Sequence, residues 1–328
     1  MEHDLSKNSI QQCDLIVTEN CSLRCKVCHI WKHKKDDRKI SLKEYADFIA
    51  SLKEFSKDRL QMQFVGGEPL LKDGVLELIK YASRQGFSTT MTTNGFLIDK
   101  KTADGIIDSG LNTIGFSLES LKEAKHDFLR GVPGVSKKVM EAIGYFSQQP
   151  SMQIFISSII TGENLDDIVE LAEWVNQDAR INFIYFQAVM QPFAMPEDDF
   201  WYKSEECRFL WPDIDKVSGV LDKLAELKKK GYKINNQAGQ FEAFKAYFRD
   251  PQKFIKKTKC NLGYNSFTVL PDGNIFLCFS MEPIGNIKTD KIDQIWFSER
   301  TNEIRRQIDN CRRNCKLMIN CFFEEEEK

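Results

Sequence analysis

The chain of 328 residues lacks the features that would place it in a membrane, outside the cell or on a nucleic acid. It contains no apolar run long enough to span a membrane. Its first twelve residues are polar and include no signal-peptide core, so we expect a cytoplasmic protein with no membrane partner. The formal net charge of −2 shows no excess of basic residues that would attract nucleic acid.

Cysteine, by contrast, is abundant for a protein expected in the cytoplasm, where disulfides are disfavoured. Eight of the ten cysteines fall in two groups near the two ends of the chain, which points to metal ligation rather than to cross-links. The N-terminal group is Cys21, Cys25 and Cys28, and the C-terminal group is Cys260, Cys278, Cys311, Cys315 and Cys321.

Residues 13–190 alternate short segments rich in β-branched or aromatic residues with helical patterns. The first helix begins at a capping box, Ser41 with Glu44. The alternation predicts a parallel sheet with helices on its outer side, and leaves open whether that sheet is a partial barrel or doubly wound. Strands are predicted at 13–18, 61–65, 88–93, 113–118, 153–161 and 182–190, and further helices at 74–84, 98–109, 135–148 and 164–177.

Unusual residues follow the ends of five predicted strands, where the chemistry of a parallel α/β barrel gathers. A single Gly-Gly-Glu would be an ordinary turn, but five such stretches in phase with five strand ends predict one pocket on one face. The stretches are the loop 19–28, Gly66-Gly67-Glu68-Pro69, Thr92-Thr93-Asn94-Gly95, Ser117-Leu118-Glu119-Ser120 and Thr161-Gly162-Glu163-Asn164.

The spacing Cys21-x3-Cys25-x2-Cys28 puts three thiolates in one loop. They can hold three irons of a 4Fe–4S cube and leave the fourth iron open. A structural zinc loop completed by His29 or His33 is the alternative. Together with the Gly-Gly-Glu segment, the triplet closely resembles the radical S-adenosylmethionine (radical SAM) superfamily. The resemblance implies a partial (β/α)6 barrel, SAM on the open iron, and a 5′-deoxyadenosyl radical that takes hydrogen from a substrate.

The resemblance also implies which residues meet SAM. The Gly-Gly-Glu segment would receive the methionyl amino group, Ser117 the ribose, and Arg130 the carboxylate. The alternative for Arg130 is a surface arginine. Asn94 and Asn164 would lie near the ribose and adenine, and helix capping is the alternative role for both. The implied cofactor-binding residues are Gly66, Gly67, Glu68, Asn94, Ser117, Arg130 and Asn164.

The alternation of strand and helix patterns ends at residue 190, and residues 191–250 are predicted to form a linker with two helices. The stretch 191–211 holds two prolines and several aromatics, which is typical of a long active-site or linker loop. Cys207 lies in it and is either a packing thiol or a catalytic candidate. Amphipathic patterns predict one helix from Ile214 and another over 239–249.

In the C-terminal part, Cys260 and Cys278 flank a predicted hairpin turn at Asp272-Gly273. The pattern Cys260-x12-Gly273-x4-Cys278 resembles the auxiliary-cluster domains known as SPASM and twitch. We therefore predict one auxiliary 4Fe–4S cluster, completed by two of Cys311, Cys315 and Cys321, with a zinc ribbon as the alternative. The predicted organisation is a TIM-like partial barrel over 1–190, the linker and helices over 191–250, and a small α+β auxiliary domain over 251–328.

Three functions remain open at this point. The first is small-molecule oxidation or epimerisation, in which the auxiliary cluster could accept the second electron of an oxidation. The second is maturation of a peptide or protein, and the third is a non-catalytic iron–sulfur or zinc protein. Only twenty residues precede Cys21, so we expect no N-terminal peptide-recognition domain, which favours a small molecule. Flavodoxin or ferredoxin is the implied electron donor.

Overall fold

The protein was analysed as a computed structural model that describes residues 10–33, 40–56, 60–149, 151–252, 260–311, 315 and 320. The predicted ligand Cys321 lies outside these described residues. The strands are β1 Gln12–Thr18, β2 Gln61–Gly66, β3 Ser88–Thr93, β4 Thr113–Ser117, β5 Gln153–Ile160, β6 Phe183–Ala188, β7 Ser266–Val269, β8 Asn274–Phe276 and β9 Gly285–Asn286. The helices are α1 Leu42–Phe55, α2 Val75–Arg84, α3 Lys100–Asp108, α4 Glu123–Arg130, α5 Val135–Phe146, α6 Ile168–Gln177, α7 Ile214–Lys229, α8 Ala238–Arg249, α9 Leu262–Asn265, α10 Ile292–Ile295 and α11 Glu299–Asp309.

The first six strands lie side by side in sequence order, and every neighbouring pair among them is parallel. A doubly wound sheet would reverse its strand order at a switch point, and this sheet does not. The partial (β/α)6 barrel is therefore confirmed. The six strands also begin and end within two residues of their predicted bounds.

The inner face of the barrel has an aromatic floor below a polar layer. Gly115, Phe155 and Phe183 are in register, and the rings of Phe155 and Phe183 stack with centroids 5.1 Å apart. A Cβ at Gly115 would lie 2.1 Å from the Phe155 ring, so only glycine leaves room for that ring. Two residues further along the strands, Ser117 and Ser157 form the next layer. Space for a ligand therefore lies above the floor, toward the C-terminal strand ends.

The predicted C-terminal hairpin is present and extends the barrel sheet. β7 pairs parallel with β1, with Leu15 opposite Val269, while β8 pairs antiparallel with β7 and β9 with β8. The strand that leads into the cysteine loop therefore has a barrel strand on one side and the auxiliary hairpin on the other. The domain boundaries at 190 and 250 stay predictions.

The other edge of the barrel, β6, is covered by later parts of the chain. Ile184 exchanges backbone hydrogen bonds with Lys233 and Asn235, at 2.8 Å each. The Asn236 amide accepts from the Phe186 N–H and donates to the Phe186 carbonyl, both at 2.8 Å. Asn320 repeats this pairing at Ala188, at 2.8 and 2.9 Å. These two side chains replace a neighbouring strand and protect the open edge.

Replacing Asn236 with Ala should lower the free energy of unfolding. Asn236 is fully buried, and its loss leaves the N–H and C=O of Phe186 without partners. Each such group costs about 1–3 kcal/mol when buried. Chemical denaturation of Asn235→Ala supplies the control, because the Asn235 side chain is exposed and should change stability by no more than about 0.5 kcal/mol. Equal stability of the two variants would contradict this role of the Asn236 amide.

Candidate functional site

The three predicted ligands of the first cluster lie in the loop that follows β1. Cys25 is buried, and Cys21 and Cys28 are half-buried. Burial raises the pKa of Cys21 to about 11, with smaller contributions from the nearby Cys25, Glu68 and Cys28 and against a backbone hydrogen bond from Leu23 that lowers it. The loop is held against the end of α4, since the Arg24 N–H donates to the Arg130 carbonyl at 3.1 Å and the Lys26 N–H to the Leu129 carbonyl at 2.8 Å. The structure therefore brings the triplet together as a fixed group.

The two glycines after β2 allow its backbone to touch the start of the cysteine loop. The Gly67 N–H donates to the Thr18 carbonyl at 2.9 Å, and the Glu68 N–H to the Asn20 carbonyl at 2.8 Å. A Cβ at Gly66 would lie 2.1 Å from the Thr18 carbonyl oxygen, and one at Gly67 would lie 2.2 Å from that of Asn20. Any side chain here would push the two segments apart, because real Cβ atoms do not approach so closely.

Glu68 is fully buried, and protein groups engage both of its carboxylate oxygens. Oε1 accepts from the Thr93 hydroxyl at 2.8 Å and from the Leu70 N–H at 3.3 Å, and Oε2 accepts from the Asn94 N–H at 2.9 Å. Burial raises the pKa of Glu68 to about 7. In this structure the carboxylate ties the end of β2 to the end of β3, a role that the sequence pattern did not reveal.

The other residues assigned to SAM differ in how much hydrogen-bonding capacity their side chains have left for a ligand. Ser117 is half-buried on the inner face, and its hydroxyl has no hydrogen bond within the described part of the chain. Asn164 is fully buried, and its amide donates to the carbonyls of Glu119 and Ile159 and accepts from the N–H and hydroxyl of Thr161. The structure thus favours the capping interpretation of Asn164, because no hydrogen-bonding capacity remains for adenine.

Arg130 belongs to α4, an eight-residue helix missed by the sequence patterns. It is not the surface arginine considered as an alternative, since only 9% of it is exposed. Its guanidinium pairs with the buried carboxylate of Glu119 and donates to Cys25 Sγ at 3.8 Å. Its apolar residues Ala124, Phe128 and Leu129 lie within two helical turns, a stretch too short for periodicity to have predicted the helix.

Cys207 lies outside this group. Its thiol is fully buried, 3.9 Å from the Met195 sulfur, and burial raises its pKa. The thiol packs against a methionine, and no other cysteine of the described residues contacts it, as expected of a packing side chain. The structure therefore favours the packing interpretation of Cys207 over the catalytic one.

The C-terminal cysteines form a second group. Burial raises the pKa of Cys260 to about 11, and Cys315, Cys278 and Cys311 lie near enough to contribute to this rise. All four are half-buried, as expected for ligands at a domain surface. The hairpin between Cys260 and Cys278 reverses the chain as predicted, and α11 ends at Asp309, two residues before Cys311.

The predicted ligands of both groups are thiols alone, the ligand type that iron–sulfur clusters prefer. Each thiolate of a 4Fe–4S cube binds a different iron.

Comparison with known proteins agrees with this geometry. The radical SAM superfamily sequence model matches residues 15–175, and that of the SPASM iron–sulfur cluster-binding domain matches residues 260–321. The chain belongs to the radical SAM superfamily and carries a C-terminal SPASM domain. Its cofactors are SAM, the 4Fe–4S cluster of the radical SAM domain and an auxiliary 4Fe–4S cluster.

Among the relatives of this radical SAM protein is the AdoMet-dependent heme synthase of Nitratidesulfovibrio vulgaris, 32% identical over 49% of this chain and 45% of that protein. The AdoMet-dependent heme synthase of Methanosarcina barkeri is 21% identical over 92% of this chain and 86% of its own length. The chain spans about half the length of the first curated relatives it matches.

Among solved structures, Streptococcus suis SuiB shares the fold. Its complex with S-adenosylmethionine has a TM-score of 0.67 and 16% identity, covering 90% of this chain and 68% of that one. Its complex with the precursor peptide SuiA has the same TM-score and 15% identity, covering 95% of this chain and 71% of that one.

No helix in the described ranges is long and apolar enough to cross a membrane.

Replacing Gly67 with Ala should cost the protein its first cluster. The new Cβ would lie 2.2 Å from the Asn20 carbonyl oxygen and would displace the segment that leads into Cys21. Iron after anaerobic reconstitution should fall from about eight to about four per chain, because one of two cubes is lost. Gly144→Ala is the matched control, since a Cβ there meets nothing within 4 Å and helix α5 should gain up to about 1 kcal/mol. Full iron loading of Gly67→Ala would refute this role.

Proposed function

We propose that the chain oxidises a small molecule by radical SAM chemistry, with Cys21, Cys25 and Cys28 as ligands of the SAM-cleaving cluster. The observation that carries the proposal is the assembly of these three thiols in the loop that follows β1, where Cys21 contacts Asn94 at the end of β3 and Cys25 contacts Arg130 at the end of α4. Three ligands leave one iron free for SAM. When bound, the cluster supplies one electron to SAM, and the resulting 5′-deoxyadenosyl radical takes a hydrogen atom from the substrate.

The chain's own residues bind and orient SAM. The carbonyls of Gly66 and Gly67 stand next to the cysteine loop and are suited to accept from the methionyl ammonium, as charge-assisted hydrogen bonds. Ser117 offers a free hydroxyl to the ribose from the layer above the aromatic floor. Phe155 and Phe183 close the barrel below and exclude water from that side.

The auxiliary cluster is proposed to be held by Cys260, Cys278, Cys311 and Cys315. Four thiols complete a cube, so no iron there is left open for a second SAM. Held by these four thiols, the cluster would supply an electron acceptor, and the overall reaction would then be an oxidation. The first electron would come from flavodoxin or ferredoxin.

A small molecule is favoured over a peptide for two reasons. The two heme synthases named above are named for a small-molecule product, and the match to one of them covers most of this chain. In addition, an extended peptide often binds by adding a strand to a sheet edge. Here β6 is covered by Asn236 and Asn320, and β9 has only two residues. The peptide complex of SuiB makes peptide maturation the second candidate.

The triple variant Cys21→Ala, Cys25→Ala, Cys28→Ala should produce no 5′-deoxyadenosine from SAM under anaerobic, reducing conditions. It should still hold about four irons per chain, because the auxiliary cube is independent of the triplet. Chromatography of the products and iron analysis check both statements. Continued 5′-deoxyadenosine formation would overturn the ligand assignment, and stoichiometric zinc without iron would overturn the auxiliary cluster. Cys13→Ala, a fully buried thiol in β1, controls for the loss of a cysteine as such.

The substrate class can be tested with an extract of small metabolites and peptides. If the substrate is a small molecule, the extract should raise 5′-deoxyadenosine formation above the substrate-free rate, and exhaustive protease digestion should leave this stimulation unchanged. Loss of the stimulation after digestion would favour the peptide alternative. Assays of the triple cysteine variant with the same extract measure the background.

A further inference from the structure

Two of the three thiols in the first cysteine group accept hydrogen bonds from buried side chains. The Arg130 guanidinium donates to Cys25 Sγ, and the Asn94 amide donates to Cys21 Sγ, each at 3.8 Å. The orientation of the Asn94 amide follows from its oxygen, which accepts from the Phe96 N–H at 2.9 Å. The amide nitrogen therefore faces the sulfur.

Arg130 is itself held by a chain of contacts across the barrel. Its guanidinium pairs with Glu119, whose other oxygen accepts from the Ile159 N–H at 2.7 Å and from the Ser158 hydroxyl at 3.2 Å. Glu119 is 2% exposed, and its own N–H donates to the His126 ring at 3.1 Å. A buried ion pair is costly to desolvate and adds little net stability, so its placement calls for another reason.

We propose that Arg130, oriented by Glu119, and Asn94 are positioning residues that set the reduction potential of the SAM-cleaving cluster. Reduction adds one negative charge to the cluster, and hydrogen-bond donors and cations next to its sulfurs stabilise that charge. Both donors therefore raise the potential. Glu119 opposes them, because its negative charge compensates much of the positive charge that the guanidinium brings to Cys25.

This inference rests on the proposed function, since it requires a cluster on Cys21, Cys25 and Cys28. It differs from the sequence-based assignment of Arg130 to the SAM carboxylate. A guanidinium already engaged by Glu119 and by a thiol acts on the cluster even when SAM is absent. The two roles are therefore separable by measuring the potential without SAM.

The test is a potentiometric titration of the reconstituted protein without SAM, followed by electron paramagnetic resonance. The triple cysteine variant gives the signal of the auxiliary cluster alone, which is subtracted. Arg130→Gln should shift the first cluster to a more negative potential, because a donor and a cation are lost. Glu119→Gln should shift it to a more positive potential, because the cation loses its counter-charge. Asn94→Ala should give a smaller negative shift, since only a neutral donor is removed.

If Arg130 and Glu119 were merely structural, Arg130→Gln and Glu119→Gln would both lower the iron content and leave the potential unchanged. Potential shifts of opposite sign in these two variants therefore distinguish the proposed role from a structural one. Arg130→Lys should recover part of the shift, because it keeps the charge and loses the planar donor pair. Arg180→Gln, which breaks the pair with Asp178 at the end of α6, is the matched control and should leave the potential unchanged.

Three results separate the outcomes. If the triple cysteine variant holds as much iron as the parent protein, the proposed function fails and this inference fails with it. If the iron is lost there but Arg130→Gln and Asn94→Ala retain the parent potential, only this inference is overturned. A shift of Arg130→Gln that occurs only with SAM present would return Arg130 to the SAM carboxylate. Should Arg130→Gln not fold, the sign of the Glu119→Gln and Asn94→Ala shifts decides.

Discussion

The site depends on one close backbone contact, the approach of Gly66 and Gly67 to the segment that leads from β1 into the cysteine loop. Two backbone hydrogen bonds join these segments, and the space between them admits no side chain. The contact fixes the start of the loop, the end of α4 fixes its middle, and Glu68 ties the same corner to β3. Three strand ends therefore hold the thiols, and no single element could do so alone.

β1 connects this corner to the rest of the molecule. It pairs with β2 inside the barrel and with β7 of the auxiliary hairpin, so both cysteine groups are anchored to one continuous sheet. At the opposite edge, Asn320 attaches the C-terminal segment to Ala188. The SPASM part thus contacts both edges of the partial barrel, which gives the two cluster sites a defined relation within the described residues.

Much of the fold could be predicted because its signals are local. The capping box of Ser41 and Glu44 starts α1 as expected, and short β-branched runs marked all six barrel strands. Helix α4 was missed because its single buried turn carries His126, Leu129 and Arg130, of which only Leu129 is apolar. Eight residues are also too short a stretch for apolar periodicity to signal a helix.

The sequence by itself determined the family and the cofactors, because cysteine spacing is a property of neighbouring residues, and it predicted which thiols hold the clusters. Only the tertiary structure decided how the polar residues around them are used. The side chains of Glu68 and Asn164 form hydrogen bonds with backbone groups at strand ends, and Arg130 contacts Glu119 and Cys25. Such partners are chosen by the packing of strand ends against one another, and hydrogen-bond partners distant in sequence leave no mark on spacing.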